Sequence, residues 1–144
     1  MKKSPTDTLV GTWIQVSLDT VSANGARRPL YGENAKGMII YTHDGYFTLM
    51  QASVDLPKLK SGLPSRATPE EAKAVIANSI AYCGKYSLDE ATMVLSLDIR
   101  ASTFANLTGN PSEKRNITSL TETELKFNRP FVDVVLEAVF KRAE

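Results

Sequence analysis

The chain has 144 residues, 42% of them hydrophobic and 23% charged, with a formal net charge of +1 at pH 7. That is long enough to bury a core and is the composition of an ordinary globule, so residues 1–144 are read as one domain. A charge so near balance, with basic residues scattered into short clusters such as Arg27-Arg28 and Lys114-Arg115, lacks the electrostatic footprint of a nucleic-acid or anionic-membrane partner, and neither is expected.

The N-terminal stretch Met1-Lys2-Lys3-Ser4-Pro5-Thr6-Asp7 is basic but has no apolar run of the kind a secretory leader carries. No apolar stretch approaches a membrane span. The lone cysteine, Cys83, has no partner for an internal disulfide and suits a reducing compartment, so a cytoplasmic location is expected. Without a leader, the glycosylation sequons at Asn106 and Asn116 are read as chance matches.

Most of the chain reads as short strands separated by turns, the pattern of a sandwich or barrel. The first strand covers residues 12–19. Residues 21–32 carry Asn24-Gly25 and Pro29 and form a loop with room for one short strand. Residues 37–42 and 46–53 flank His43-Asp44-Gly45, a hairpin in which Gly45 supplies the positive φ of a tight turn. Residues 54–67, rich in Pro, Gly and Lys, read as a mobile loop and a candidate lid. Thr68-Pro69-Glu70-Glu71 then combines an N-cap Thr, a Pro at the first helical position and a Glu at the third, a capping box. Ala72, Val75, Ile76 and Ile80 follow at helical spacing. The remaining strands are residues 82–88, 92–103, 113–121, 124–128 and 134–142. About eight strands and one helix is the number that closes a barrel around one small ligand.

Two ends of the chain belong together in this scheme. Leu9-Val10-Gly11-Thr12-Trp13 enters the first strand, and Phe140-Lys141-Arg142 closes the last. A Trp ring fills the taper of a small barrel, and an Arg stacks on its face as a cation–π pair. With the run Gly37-Met38-Ile39-Ile40-Tyr41-Thr42 into Asp44-Gly45-Tyr46, the helix leading to Tyr82-Cys83-Gly84-Lys85-Tyr86, and Ser102-Thr103-Phe104-Ala105-Asn106, the chain resembles the microbial lipocalin-like domain family, a calycin relative, over nearly its whole length. The resemblance implies an all-β fold, an antiparallel calycin β-barrel with one packed helix, holding a small, largely apolar molecule. It also implies a place in biosynthesis of secondary metabolites, where some members steer cyclisation or isomerisation without a cofactor. The chain departs from the family pattern at Leu97 and Asp98, where members often carry His, and at Leu107, where they carry Trp.

No metal-ligand cluster, Walker loop, dinucleotide fingerprint or nucleophile elbow appears, so no metal and no cofactor is expected. His43, the only histidine, sits at a hairpin tip and reads as a solvated turn residue; Cys83 reads as a packing residue. Chemistry would fall to Tyr82, Tyr86, Asp98 and Arg115. The two tyrosines share a strand face and offer hydroxyls for acid catalysis. Lys126, Asn128 and Arg129 raise the same question as Arg115: an inward Arg would need a carboxylate or a ligand oxyanion to offset its desolvation.

For the ligand wall, an inward Trp13 carries Gln15 and Ser17 with it by alternation and puts Ile14, Val16 and Leu18 outside. That outer face would need cover from a helix or from a second subunit in a homodimer. The hairpin contributes Met38, Ile40, Tyr46, Thr48 and Met50 as an adaptable apolar wall. Phe104 and Asn128 complete the expected ligand contacts. The leading expectation is a small-molecule-handling barrel acting as a cofactor-free cyclase or isomerase by positioning its substrate; its rival is a passive carrier with the same pocket.

Overall fold

In a computed structural model describing residues 3–144, every strand joins one antiparallel sheet. Met1 and Lys2, which begin the basic N-terminal stretch, lie outside the described residues. The strands are β1 (Gly11–Ser22), β2 (Arg27–Pro29), β3 (Lys36–Tyr41), β4 (Tyr46–Ala52), β5 (Ser79–Asp89), β6 (Val94–Ser102), β7 (Lys114–Leu120), β8 (Glu124–Phe131) and β9 (Val134–Arg142). β3 to β9 follow one another around the wall, and β9 pairs back onto β1 from Trp13↔Arg142 to Ser22↔Val134, closing a barrel of eight strands. β2 is an extra short strand laid along the far end of β1, in the stretch where the sequence left room for one.

Closure is locked at the base by both chain ends. A one-turn helix, α1 (Pro5–Leu9), has no counterpart in the sequence reading; Ser4 caps it and Pro5 starts it. Its last residue, Leu9, is fully buried and its carbonyl accepts the Trp13 indole N–H at 2.9 Å. The Arg142 guanidinium lies 4.0 Å from the centroid of the Trp13 ring, as the sequence suggested, and donates to the carbonyls of Val10, Thr8 and Glu122. Gly11 is obligatory beside it: its φ is +131°, and a Cβ there would stand 2.6 Å from Arg142 Nη1.

Alternation sets the core. Ile39 and Tyr41, Phe47 and Leu49, Tyr82 and Tyr86, Leu95, Leu97 and Ile99 all point inward. Gly84 sits between the two inward tyrosines at a register shift, where a Cβ would fall 1.9 Å from the Asp98 carbonyl oxygen; only glycine lets β6 approach so closely. A second shift lies between Gln15 and Ser17. There Val16 bulges into solvent and the alternation slips by one, so Leu18 turns inward instead of outward. The outer apolar face of β1 that seemed to need a covering subunit shrinks accordingly to Ile14 and Val16.

The helix α2 (Pro69–Ala77) begins with the capping box foreseen in the sequence: Thr68 Oγ1 accepts from the Glu71 N–H, and Glu71 accepts from the Thr68 N–H at 2.8 Å. It rests only lightly on the barrel. Ala74 and Val75 are half-buried, whereas Ala72 and Ile76, expected to pack, are exposed. Among the described residues no helix is long and apolar enough to cross a membrane.

The base makes a sharp prediction. Trp13→Ala will cost about 3–5 kcal/mol, as for a buried aromatic, and Arg142→Ala less. A double-mutant cycle by urea denaturation will show the two losses coupled by about 1 kcal/mol. Strict additivity would mean that the guanidinium does not stabilise through the ring.

Candidate functional site

Above the plugged base the barrel holds a cavity of about 280 Å³. Its floor and sides are apolar: Leu18, Leu49, Phe127 and Ala138, all buried, with Leu136 above them. Leu30, Phe104 and Phe131, each more than a third exposed, lie with Val134 around the mouth. No residue of the loop 54–67 lines the cavity. The lid expected there is thus replaced by this apolar rim, and the loop is instead tied to α2, where Glu71 accepts from the Lys60 N–H at 3.1 Å.

One wall is polar. Glu113, the residue just before β7, and Arg115, its second residue, lie two apart in extended chain, so both turn inward; their side chains are 1% and 6% exposed. Arg129 reaches them from β8. Glu113 Oε1 accepts from Arg115 Nη1 and, at 2.6 Å, from Arg129 Nε; Oε2 accepts from Arg129 Nη2 at 3.2 Å and from the Asn110 amide at 3.2 Å. Arg115 Nη2 donates to the Tyr82 hydroxyl at 3.0 Å, on the opposite side of its guanidinium. Tyr82, Arg115 and Arg129 line the cavity, and Glu113 lies behind them. Further round, Gln51 lines the cavity and donates to Gln15 Oε1 at 2.8 Å.

The electrostatics follow from these contacts. Burial works against the charge of Glu113, but the hydrogen bonds from Arg129 and Arg115 outweigh it and hold its carboxyl below the usual range. Burial likewise opposes the charge of Arg115; the Tyr82 oxygen and the Glu113 carboxylate overcome it and hold the proton more firmly than usual. Burial pushes the phenol of Tyr41 well above its ordinary value, so it stays neutral as a core residue.

Of the residues singled out in the sequence, Tyr82, Arg115 and Phe104 lie on the cavity. Gln15 stands one layer back, behind Gln51. The others lie elsewhere. Tyr86 is in the core on the base side, its ring edge-on to Tyr41 at 5.0 Å and its hydroxyl donating to the Thr42 carbonyl; burial, then the Asp44 carboxylate, raise its phenol. Asp98 is exposed and paired with Arg100. Ser17 faces outward because of the bulge at Val16. Met38, Ile40, Tyr46, Thr48 and Met50 do share one face, but it is the outer one: Met38, Tyr46 and Met50 are each more than 40% exposed, Thr48 is exposed and Ile40 half-buried. Their inward neighbours Ile39, Tyr41, Phe47, Leu49 and Gln51 are the buried set. Asn128 is also outward, accepting from the Asn116 amide at 3.0 Å. His43 is exposed at its turn, and Cys83 is half-buried.

Glu113 and Gln51 have no counterpart in the sequence reading, and Arg129 appears there only among the residues that would need a counter-charge if turned inward. A signal for Glu113 was present: an inward Arg115 demands a carboxylate, and the residue two before it on the same strand face is Glu113.

A closed barrel with a plugged base, an apolar lumen and a few polar groups on one wall is the architecture of a small-molecule-binding β-barrel. The chain belongs to the lipocalin-like domain family, whose model matches residues 10–131. No curated protein matches it significantly. Three solved chains do; one is a redesigned beta barrel, 17% identical, with 99% of this chain and 100% of that chain covered at a TM-score of 0.47.

The buried triad sets a stability test. Glu113→Gln leaves two guanidiniums without a counter-charge and will cost about 3–5 kcal/mol by urea unfolding. Because the folded carboxyl titrates below its ordinary value, its contribution is present above the usual carboxylate range and is lost as pH falls through the folded value. Stability of the wild type will therefore drop on acidification, and the variant will show a flatter acid limb. An identical acid limb in both proteins would show that Glu113 is not the group responsible.

Proposed function

We propose that the protein binds a small, largely apolar metabolite in the barrel lumen and promotes its cofactor-free cyclisation or isomerisation. The observation that carries this is the Tyr82–Arg115 pair, set in the polar wall of an otherwise apolar cavity. The Tyr82 hydroxyl accepts from Arg115, so its own proton is left to donate to an oxygen of the bound molecule. The neighbouring positive charge stabilises negative charge developing on that oxygen, as when a hydroxyl of the same molecule adds to a carbonyl, the carbonyl oxygen taking the Tyr82 proton and the hydroxyl's proton returning to the Tyr82 oxygen. The apolar walls confine a flexible molecule to few conformers, and this positioning supplies the rest of the effect. Tyr82 is the catalytic residue in this scheme, and Arg115 polarises it.

A carrier with the same pocket is the second reading, favoured by the apolar character of the rest of the lining and of the mouth. Native mass spectrometry of the purified protein, followed by extraction, will identify a retained metabolite. Fresh protein incubated with the corresponding linear or unrearranged precursor will convert it. Tyr82→Phe keeps the ring and removes the hydroxyl, so it will lower turnover by about 10²-fold or more with little change in ligand affinity. Conversion at the wild-type rate by Tyr82→Phe would remove acid catalysis from the scheme, and a metabolite returned chemically unaltered would establish the carrier.

A further inference from the structure

We infer that the molecule held in the lumen is an amphipathic anion, with a carboxylate head on Arg129 and an apolar body in the rest of the cavity. The inference rests on the reading of the lumen as a ligand site and adds the chemical class of the ligand.

The charge balance of the wall is the first ground. Arg115 and Arg129 are the charged residues that line the cavity among the described residues, and both are cationic. Their one counter-charge is Glu113, so the cluster keeps one positive charge in excess. Glu113 cannot offset more: Oε1 already accepts from both arginines, and Oε2 from Arg129 and Asn110. An unbalanced guanidinium beside an apolar cavity carries a desolvation cost that an anion in the cavity would relieve.

Hydrogen-bond geometry is the second ground. Arg129 spends Nε and Nη2 on Glu113, which leaves Nη1 without a protein partner among the described residues. Its guanidinium is held in place by the Phe131 ring, 5.0 Å from the ring centroid. The Tyr82 hydroxyl accepts from Arg115 and keeps its proton free. The wall thus offers N–H and O–H donors with its only carboxylate saturated, an arrangement that suits the acceptor oxygens of a carboxylate and offers no acceptor on that carboxylate to an ammonium. Apart from Thr20 and Gln51, the other walls, with Leu18, Leu49 and Leu136, offer apolar contact, so the ligand needs an apolar body as well as the head.

Isothermal titration at neutral pH with octanoate, octanol and octylammonium tests this, because the three share one tail and differ in head charge. Wild-type protein will bind octanoate at least about tenfold more tightly than octanol, the difference expected for a charge-assisted hydrogen bond. Octylammonium will bind most weakly. Arg129→Met will bring octanoate to within about twofold of octanol while octanol binding is kept. Equal binding of octanoate and octanol by the wild type would overturn the anionic head and leave the apolar lumen site standing. Absence of binding by either would overturn both. The wild-type comparison stands alone if Arg129→Met does not fold.

Discussion

Barrel closure depends on one stacked pair, Arg142 on Trp13. β1 and β9 are the first and last strands of the wall, and their pairing removes the open edges that an eight-stranded sheet would otherwise present. The pairing begins at Trp13↔Arg142. From that point the guanidinium covers the indole, while its donors satisfy the carbonyls of Thr8 and Val10 at the end of α1 and of Glu122 in the β7–β8 turn. Three separate segments are thereby tied to a single side chain. The Trp13 N–H donates to the Leu9 carbonyl, so the plug has its polar group satisfied, and both residues are fully buried. A sealed base leaves the opposite end as the way in.

The lumen that results is built on a contrast. Most of its surface is apolar, which gives affinity for a non-polar body in proportion to the area removed from water. One wall concentrates the buried charge. Register explains why. Asn116 pairs with Asn128, so one step further along the two strands Arg115 comes alongside Arg129. Two like charges facing each other across a ladder are destabilising. Glu113, two residues before Arg115 on the same face, is placed to bridge both guanidiniums. The triad is therefore a consequence of alternation on β7 combined with the register of β7 and β8.

Much of the fold was legible because its signals are local. The capping box at Thr68 and the turn at Gly45 each need only a few neighbouring residues, and the structure has both. The site was harder for two physical reasons. Period-two alternation sorts a strand into two faces but does not say which is inside. In the β3–β4 hairpin both faces are rich in apolar groups, Met38, Ile40 and Met50 against Ile39, Tyr41 and Leu49, so composition points to the outer set as readily as to the buried one. The second reason is the bulge after Gln15. A bulge inserts a residue without a distinctive local composition, so the inward phase of β1 held for Trp13 and Gln15 but failed at Ser17 and Leu18. Tyr82 escaped both difficulties, since its strand alternates aromatic residues with Cys83 and Lys85 and has one plainly apolar face.

The same register logic separates what the polar wall does for stability from what it does for a ligand. Glu113 is spent entirely inside the protein: both its oxygens are occupied, and it does not line the cavity. Its work is to make two buried arginines tolerable. Arg129 and Tyr82 are only partly spent, each with donor capacity left on the cavity side. Removing Glu113 attacks the fold through uncompensated charge, whereas removing the Tyr82 hydroxyl takes away a donor and leaves the aromatic packing against Phe47, whose ring stands edge-on at 5.9 Å. A group that is fully bonded within the protein can only support the site. A group with an unspent donor is the one that can discriminate between ligands, because a ligand lacking the matching oxygen leaves that donor unmet in an apolar surrounding.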